Sequence, residues 1–170
     1  MVFLAAFKLT LARSSGQTDI AVATPVAQRG RPELHGVIGY VSNTLVLRTD
    51  LARAGDLADL LSQVREETLG ALAHAEMPFD LLAQRLAVPR TGSRHPWMRA
   101  LFALQPEGPA ELGPQDLRIT PLRLPPGAPK ADVALEITEQ DDRFEAVLEY
   151  DSALFANATA QAVAGGLQNF

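Results

Sequence analysis

The alternation of apolar and polar residues predicts a helix at the start of the chain and two strands after it. Residues 2–14 place Leu4, Phe7 and Leu11 among good helix formers, and the polar segment "RSSGQTD" then supplies a helix stop and a turn. The next segment, "IAVATPV", is short and nearly all apolar, which is typical of a strand covered on both faces. After the polar loop "AQRGRPELHG", the segment "VIGYVSNTLVLRTDL" predicts a second strand.

The clearest periodic pattern follows, between Asp56 and His74. Apolar residues recur there at helical spacing, while Arg65, Glu66 and Glu67 fall on the side facing away, so this stretch predicts an amphipathic helix. The segment "AEMPFDLLAQRLAV" breaks at its proline and then predicts a shorter second helix, because proline is tolerated in a first helical turn.

The rest of the chain predicts mainly strands. After the loop "PRTGSRHP", the segment "WMRALFALQ" has the aromatic and apolar content of a strand. The Pro- and Gly-rich "PEGPAELGPQ" predicts a mobile connector or a crossing to another element. Three strand-like segments follow, "DLRITPLRL", "ADVALEITEQ" and "RFEAVLEYD", and the last two alternate like a hairpin around Asp141 and Asp142. A final helix is predicted from Asn157, with Asn157 or Thr159 as its cap.

This order of elements predicts the fold class. It indicates an α/β protein, an α+β sandwich in which helices pack on a largely antiparallel or mixed sheet, and not a doubly wound sheet. No segment repeats at a fixed period. Both ends of the chain fall inside periodic apolar segments, so we expect residues 1–170 to be part of a larger domain, with Met1 and Phe170 inside larger elements.

Composition excludes several functional classes. The net charge of -5 gives no electrostatic footprint for nucleic acid or anionic lipid. The absence of cysteine excludes disulfides, a thiol nucleophile and Cys-based metal sites. Lys8 interrupts the first apolar run, which favours an amphipathic helix over a signal peptide, and no apolar stretch approaches the ~18 residues of a spanning helix. We therefore expect a cytoplasmic protein with no nucleic-acid or membrane partner.

Common catalytic patterns do not occur in the sequence. It has no glycine-rich phosphate loop, no Gly-x-Ser-x-Gly elbow and no His-Glu-x-x-His helix. His35, His74 and His95 are far apart and share no ligand spacing, so we expect no metal site. Ser93 lies near His95, but neighbours in a polar loop rarely form a nucleophile and its base.

Asn43 is an unexpected polar residue within a predicted strand. It shares a strand face with Val41, Leu45 and Leu47. The other face then carries Tyr40, Ser42, Thr44 and Val46. An amide in an apolar row needs partners, because leaving it unpaired costs about 1–3 kcal/mol. Two interpretations stay open: a structural amide that pins a loop or bulge, or a polar contact in a substrate channel.

Six segments resemble the condensation domains of nonribosomal peptide synthetases. "IGYVSNTLVLR" (38–48) resembles that family's Val-Gly-x-Phe-x-Asn-Thr-Leu-x-x-Arg signature. "HAEMPFD" (74–80) resembles its His-Gln-Asp-x-Pro-Phe-Glu segment, and "RTGSRHPWMRALFALQ" (90–105) its Arg-x-x-Ser-Arg-x-Pro-Leu segment. "SGQTDIAVATPVAQR", "KADVALEITE" and "LEYDSALF" also match, in the family's order and at about its spacing. The departures are Val41, Ser42, Ala75, Glu76 and Trp97.

The resemblance implies a chloramphenicol-acetyltransferase-like fold of two lobes, of which this chain resembles the C-terminal one. The family's His-His-x-x-x-Asp-Gly signature, whose second His is associated with attack by the acceptor amine, occurs nowhere in the sequence. The implied reaction is amide bond formation between two carrier-bound thioesters held on phosphopantetheine arms. The implied partners are the N-terminal lobe of the same domain and the upstream and downstream peptidyl carrier proteins, with no cofactor bound directly.

The resemblance assigns no catalytic residue to this chain. It implies a substrate-tunnel and lobe-interface set made of Gly39, Tyr40, Ser42, Asn43, Thr44 and Arg48, with Arg48 paired to a carboxylate. It implies a structural set made of Pro78, Phe79, Arg90, Arg94 and Pro96. We expect the first two of these to turn and anchor the second helix, and a guanidinium of the following loop to hold several carbonyls. "PEGPAELGPQ" is the candidate segment for reaching the other lobe.

Two other classes stay open. One is a non-catalytic module of the same fold that recruits a partner, and the other is a coenzyme A- or carrier-dependent acyltransferase outside peptide synthesis. We also expect the isolated chain to be inactive. A lobe without its partner exposes an apolar surface larger than is usual for monomers, which predicts self-association.

Overall fold

The computed structural model describes residues 1–87, 94–106, 129–140 and 142–169. The helices of this part are α1 (Val2–Ser15), α2 (Leu57–Ala73), α3 (Phe79–Arg85) and α4 (Asn157–Gln168). The strands are β1 (Asp19–Ala27), β2 (Ser42–Asp50), β3 (Ala100–Pro106), β4 (Val133–Glu139) and β5 (Phe144–Tyr150). Short 3₁₀ turns lie at Pro32–Leu34, Leu51–Arg53 and Pro96–Met98.

The strands form one mixed sheet in the order β2-β1-β3-β4-β5. β1 and β2 are antiparallel over their whole length, with Asp19 opposite Asp50 and Ala27 opposite Ser42. β3 runs parallel to both β1 and β4, and β5 returns antiparallel to β4. The predicted mixed sheet and the predicted hairpin of the last two strands are therefore confirmed.

The core lies between one face of this sheet and helices α1 and α2. Because side chains alternate along a strand, Val22 and Leu47 point to the same side and meet Phe7 of α1 and Val64 of α2. All four are at most 2% exposed, and burying each contributes about 1.5–3 kcal/mol. Ala23, on the other face of β1, is also buried, so the middle of this strand is covered on both faces.

The second strand starts later than the hydrophobic pattern predicts. β1 ends at Ala27, opposite Ser42, and one further bond joins Gln28 N–H to the carbonyl oxygen of Val41 at 3.0 Å. Residues 37–41 have no strand partner beyond that point, so they form a loop that leaves Tyr40 91% exposed. The expectation that Gly39 and Tyr40 belong to the strand is therefore wrong. Gly39 takes a φ of 157°, which side chains rarely allow.

Helix ends agree with the sequence at α2 and α3 and differ at α4. Asp56 caps α2 by accepting a hydrogen bond from Asp59 N–H at 2.9 Å, as expected for this residue type. α3 begins directly after its proline. α4 begins at Asn157 as predicted, but it has no side-chain cap, because its cap position is occupied by Ala156. The Asn157 Oδ1 accepts a hydrogen bond from the Tyr150 hydroxyl at 3.3 Å.

Several expectations fall outside the described residues. These are Arg90, the predicted strand "DLRITPLRL" and all of "PEGPAELGPQ" after its first proline.

The predicted strand over 97–105 is found as Ala100–Pro106, because the preceding residues form a 3₁₀ turn. No helix among the described residues is long and apolar enough to cross a membrane.

Candidate functional site

Asn43 joins the start of β2 to the turn between α2 and α3. Its Nδ2 donates to the carbonyl oxygens of Ala75 and Met77, at 2.9 and 2.6 Å. Its Oδ1 accepts from the main-chain N–H of Phe79 at 3.1 Å. The amide thus uses both donor hydrogens and its acceptor oxygen on a single turn. These are the contacts of an amide that fixes a turn, and a contact of Asn43 with substrate stays a prediction.

Gln28 holds the same turn from the end of β1. Its Nε2 donates to the carbonyl oxygen of Ala75 at 2.7 Å, so that oxygen accepts from two side-chain amides. Since β1 and β2 are paired neighbours, the two amides fix the α2–α3 turn against one end of both strands. We call Asn43, Gln28 and the turn residues 74–79 the amide clamp.

An aromatic contact extends the clamp to the turn before β3. The Phe79 ring meets the His95 ring edge-on, with centroids 5.3 Å apart, and His95 lies 5.1 Å from the Trp97 ring. The His95 Nδ1 accepts from Trp97 N–H at 3.3 Å, which occupies that nitrogen at the start of the 3₁₀ turn. Pro78 precedes α3 and Pro96 begins the 3₁₀ turn, so each proline sits where no helical N–H is needed.

Arg94 ties three distant segments together. Its Nη1 donates to Asp132 Oδ1 and Asp151 Oδ2, both at 3.0 Å, and its Nη2 donates to the carbonyl oxygen of Pro129 at 2.8 Å. Arg99 Nε donates to the other oxygen of Asp132 at 2.7 Å. Arg94 thus holds two carboxylates and one carbonyl, where several carbonyls were expected. Carboxylates suit the site better, because they neutralise the guanidinium as well as accept its hydrogens.

The charges of this network reinforce one another. Hydrogen bonding to Arg94, followed by hydrogen bonding to Ala153 N–H, lowers the pKa of Asp151. The same contacts with Asp151 and Asp132 raise the pKa of Arg94. Both shifts favour the charged forms of Arg94 and Asp151. We call Arg94, Arg99, Asp132 and Asp151 the arginine network.

Arg48 pairs with a carboxylate of the adjacent strand. Its Nε and Nη2 donate to Asp19 on the adjacent strand, at 2.8 Å to Oδ1 and 2.6 Å to Oδ2. This hydrogen bond is the main reason why the pKa of Asp19 is lowered. Ser42 and Thr44 share the Arg48 face of β2, opposite the face that carries Asn43.

These contacts join all six segments that carry the family resemblance. Gln28 and Asn43 tie their two strands to "HAEMPFD", and the Phe79–His95 contact ties that segment to "RTGSRHPWMRALFALQ". Arg94 then reaches "KADVALEITE" through Asp132 and "LEYDSALF" through Asp151. Gly39 and Tyr40 take no part in these contacts.

Sequence reasoning missed the partners in these contacts. Gln28 and Asp132 were not singled out, and His95 was considered only as a base or a metal ligand. The sequence did contain a signal for Asp132, because a carboxylate directly before an apolar strand needs a partner for its charge. The side chains that meet here bind one another, so what this arrangement can do is hold segments of the chain in position. The described residues include no group of His, Asp and Glu placed to hold a metal ion.

The fold and these contacts define a mixed α/β unit braced by polar side chains. The condensation-domain family matches the chain over residues 1–170. A linear gramicidin synthase of Brevibacillus parabrevis is 40% identical over 168 residues, and malpinin synthetase of Mortierella alpina is 36% identical over 161. The chain therefore belongs to the condensation-domain family of nonribosomal peptide synthetases. The two matches cover 97% and 95% of this chain but only 3% and 2% of the length of these relatives.

Solved structures agree with this assignment. Holo-AB3403, a four-domain nonribosomal peptide synthetase bound to AMP and glycine, superimposes with a TM-score of 0.85 at 26% identity, covering 98% of this chain and 14% of that one. The X-domain in its complex with OxyB from teicoplanin biosynthesis gives 0.82 at 26% identity, covering 98% and 38%. The chloramphenicol-acetyltransferase-like fold expected from the resemblance is confirmed.

Proposed function

We propose that this chain is the C-terminal lobe of a condensation domain that forms an amide bond between two carrier-bound thioesters. The observation that carries the proposal is the family match over the whole chain together with the contacts that join the six matching segments. The 38% coverage of the X-domain chain supports a partial domain, with the N-terminal lobe as its partner.

The proposed reaction is an acyl transfer to nitrogen. The amine of a downstream aminoacyl thioester attacks the carbonyl carbon of an upstream aminoacyl or peptidyl thioester. The new C–N bond forms as the C–S bond breaks, and the amine loses a proton while the phosphopantetheine arm leaves as a thiol. Upstream and downstream peptidyl carrier proteins supply both arms, so this lobe needs no cofactor of its own. We place this reaction in the cytoplasm.

In this proposal the lobe forms one wall of the substrate tunnel, and the residues at that wall or at the lobe interface are Gly39, Tyr40, Ser42, Asn43, Thr44 and Arg48. The wall acts by holding the reacting groups in place and excluding water, effects worth several kcal/mol, up to about 10, in well-oriented reactions. The exposed ring of Tyr40 supports a contact with another surface. Arg48 braces β2 against β1 through Asp19, and the amide clamp keeps Asn43 in place.

The test is dipeptide formation from two loaded carrier proteins. We expect the chain alone to form none, because its sequence lacks the His-His-x-x-x-Asp-Gly signature and acid–base assistance is typically worth about 10²–10⁴-fold. Adding the matching N-terminal lobe, covalently or as a separate chain, restores the product, which mass spectrometry detects on the carrier. Replacing the second His of that lobe abolishes it. Condensation by the isolated chain would contradict the proposal.

A control reports on the lobe interface. Ile38 and Tyr40 are almost fully exposed, so the isolated chain elutes as a dimer or larger species and binds a hydrophobic dye. Adding the N-terminal lobe converts it into a one-to-one complex that binds less dye. A concentration-independent monomer without dye binding would count against a missing lobe.

One observation favours a second function, a non-catalytic module that recruits a partner protein. The X-domain structure that this chain resembles is a complex with OxyB, a second protein. Under this function the restored two-lobe protein binds carriers but forms no dipeptide, even with both histidines intact. The same mass-spectrometric experiment therefore separates the two functions.

A further inference from the structure

Lys8 lies in α1 with its side chain completely buried. Its Nζ donates to Thr49 Oγ1 of β2 at 2.5 Å, and the Thr49 hydroxyl donates in turn to Glu67 Oε2 of α2. Lys8 Nζ and Glu67 Oε2 are 3.8 Å apart. The direction of these hydrogen bonds is fixed, because a hydroxyl has one hydrogen to donate and here gives it to the carboxylate. Three elements of the lobe thus share one hydrogen-bonded relay.

Gln63 holds the carboxylate end of the relay. Its Nε2 donates to Glu67 Oε1 at 3.0 Å and to the carbonyl oxygen of Asp50 at 3.3 Å. Both carboxylate oxygens of Glu67 therefore have partners. Helix α2 is tied to two consecutive residues at the end of β2, Thr49 and Asp50.

The two elements joined by the relay meet again at the amide clamp. Asn43 lies six residues from Thr49 along β2, which is about 20 Å of strand. Ala75, whose carbonyl Asn43 holds, lies two residues past the end of α2 at Ala73, and Ala73 lies about 9 Å of helix beyond Glu67. A packed helix moves as a rigid body, so its attachment at the relay affects its position at the clamp.

We propose that Lys8, Thr49 and Glu67 form a proton-linked positioning relay, in which the charge on Lys8 sets how α2 lies on β2 and thereby alters the contacts of Asn43. Lys8 acts in this relay as a positioning residue. The inference goes beyond the proposed function, and only its consequence for the tunnel wall rests on that function.

Among the described residues, Glu67 is the one charge whose attraction acts on Lys8. Glu67 is the charged partner from α2, whereas α4 carries no charged residue. Within the described part of the chain, Arg48 of β2 is paired with Asp19 of β1, and the Asp50 side chain accepts from Ala52 N–H.

Burial lowers the pKa of Lys8 to about 8, although the attraction of Glu67 opposes the shift. A neutral amine still donates to Thr49, so the proton can leave without breaking the relay. What changes is the charge that attracts Glu67.

The test is an NMR titration of the intact chain between about pH 6 and 10. The chain has two lysines, Lys8 and Lys130, so labelled lysine gives two side-chain signals. We expect the Lys8 signal and the Asn43 side-chain amide to change with a shared midpoint near pH 8. In Lys8→Met the Asn43 inflection is lost. In the control Lys130→Met, which alters an exposed residue, it is kept.

A second pair of variants keeps the test decisive if Lys8→Met does not fold. Thr49→Ser retains the hydroxyl and keeps the inflection at Asn43, whereas Thr49→Val breaks the relay and removes it. A purely structural role for Lys8 would lower stability and leave no pH-dependent signal at Asn43. The inference is overturned if Lys8 titrates without any change at Asn43, or if the inflection persists in Thr49→Val. Neither outcome bears on the proposed function, since the measurement needs no carrier protein.

Discussion

Two arginines of this chain make ion pairs of different kinds. Arg94 reaches two carboxylates and one carbonyl from two other segments, and the carboxylate of Asp132 is only 8% exposed. Arg48 reaches one carboxylate on the neighbouring strand, with its own side chain 71% exposed and that of Asp19 48% exposed. Both arginines occur in segments that resemble the family's signatures, so their positions in the motifs do not distinguish them.

The two arginines differ in whether water can solvate the charges once the ion pair is broken. When a surface pair breaks, water solvates both charges, so the pair contributes little to stability. The Asp132 carboxylate is largely shielded from water and depends on its arginines, which makes its contacts costly to remove. The arginine network therefore joins separate segments of the chain, whereas the Arg48–Asp19 pair braces two strands that are already hydrogen-bonded to each other.

The largest effect is expected at the arginine network. Asp132→Ala removes the acceptor of Arg94 Nη1 and Arg99 Nε, two charge-assisted hydrogen bonds in a shielded position. We expect a loss of about 3 kcal/mol in the free energy of unfolding, measured in urea. The control Asp142→Ala, at an exposed position of the β4–β5 turn, should leave the urea midpoint unchanged. Equal midpoints for the two variants would mean that the network does not stabilise the fold.

An intermediate effect is expected at the amide clamp. Asn43→Ala leaves the carbonyl of Met77 and the N–H of Phe79 without this partner, which costs about 1–3 kcal/mol. Asn43→Asp costs more, because a carboxylate cannot donate and places its charge against two carbonyl oxygens. Urea unfolding measures both, with Asn157→Ala as the control for an exposed amide. A midpoint of Asn43→Asp above that of Asn43→Ala would contradict the assigned contacts.

The sequence predicts the periodic elements well, because periodicity reports burial directly. Residues 56–74 were predicted as a helix and α2 spans Leu57–Ala73, since its apolar positions recur over many turns. The start of β2 was not predictable in this way, because the apolar residues 37–41 continue past the end of the strand's partner. A strand needs a neighbouring strand to pair with as well as a hydrophobic pattern in its own sequence.

Side-chain partners were harder to predict than elements. Asn43 was recognised as an amide in need of partners, but those partners are main-chain groups of a distant turn, which carry no side-chain signal. Glu67 was expected to face away from the core with Arg65 and Glu66, and this is wrong, because its carboxylate turns toward Thr49 and Lys8. A long polar side chain at the edge of a helix face can reach either side.

The smallest effect is expected for Arg48→Ala. Both partners of this pair are well exposed, so we expect a smaller fall in the urea midpoint than for either variant above. About 1 M salt should remove most of that fall, because it shortens the screening length to about 3 Å. Because Arg48 lowers the pKa of Asp19, the contribution is present above the unfolded pKa of this carboxyl and is lost as the pH falls through its lower folded value.

Asp19→Ala is the matched variant and should behave alike, and the double variant should be no less stable than either single one. A fall as large as that of Asp132→Ala, or one that persists in high salt, would show that Arg48 does more than pair with Asp19, and the contrast between the two arginines would then fail.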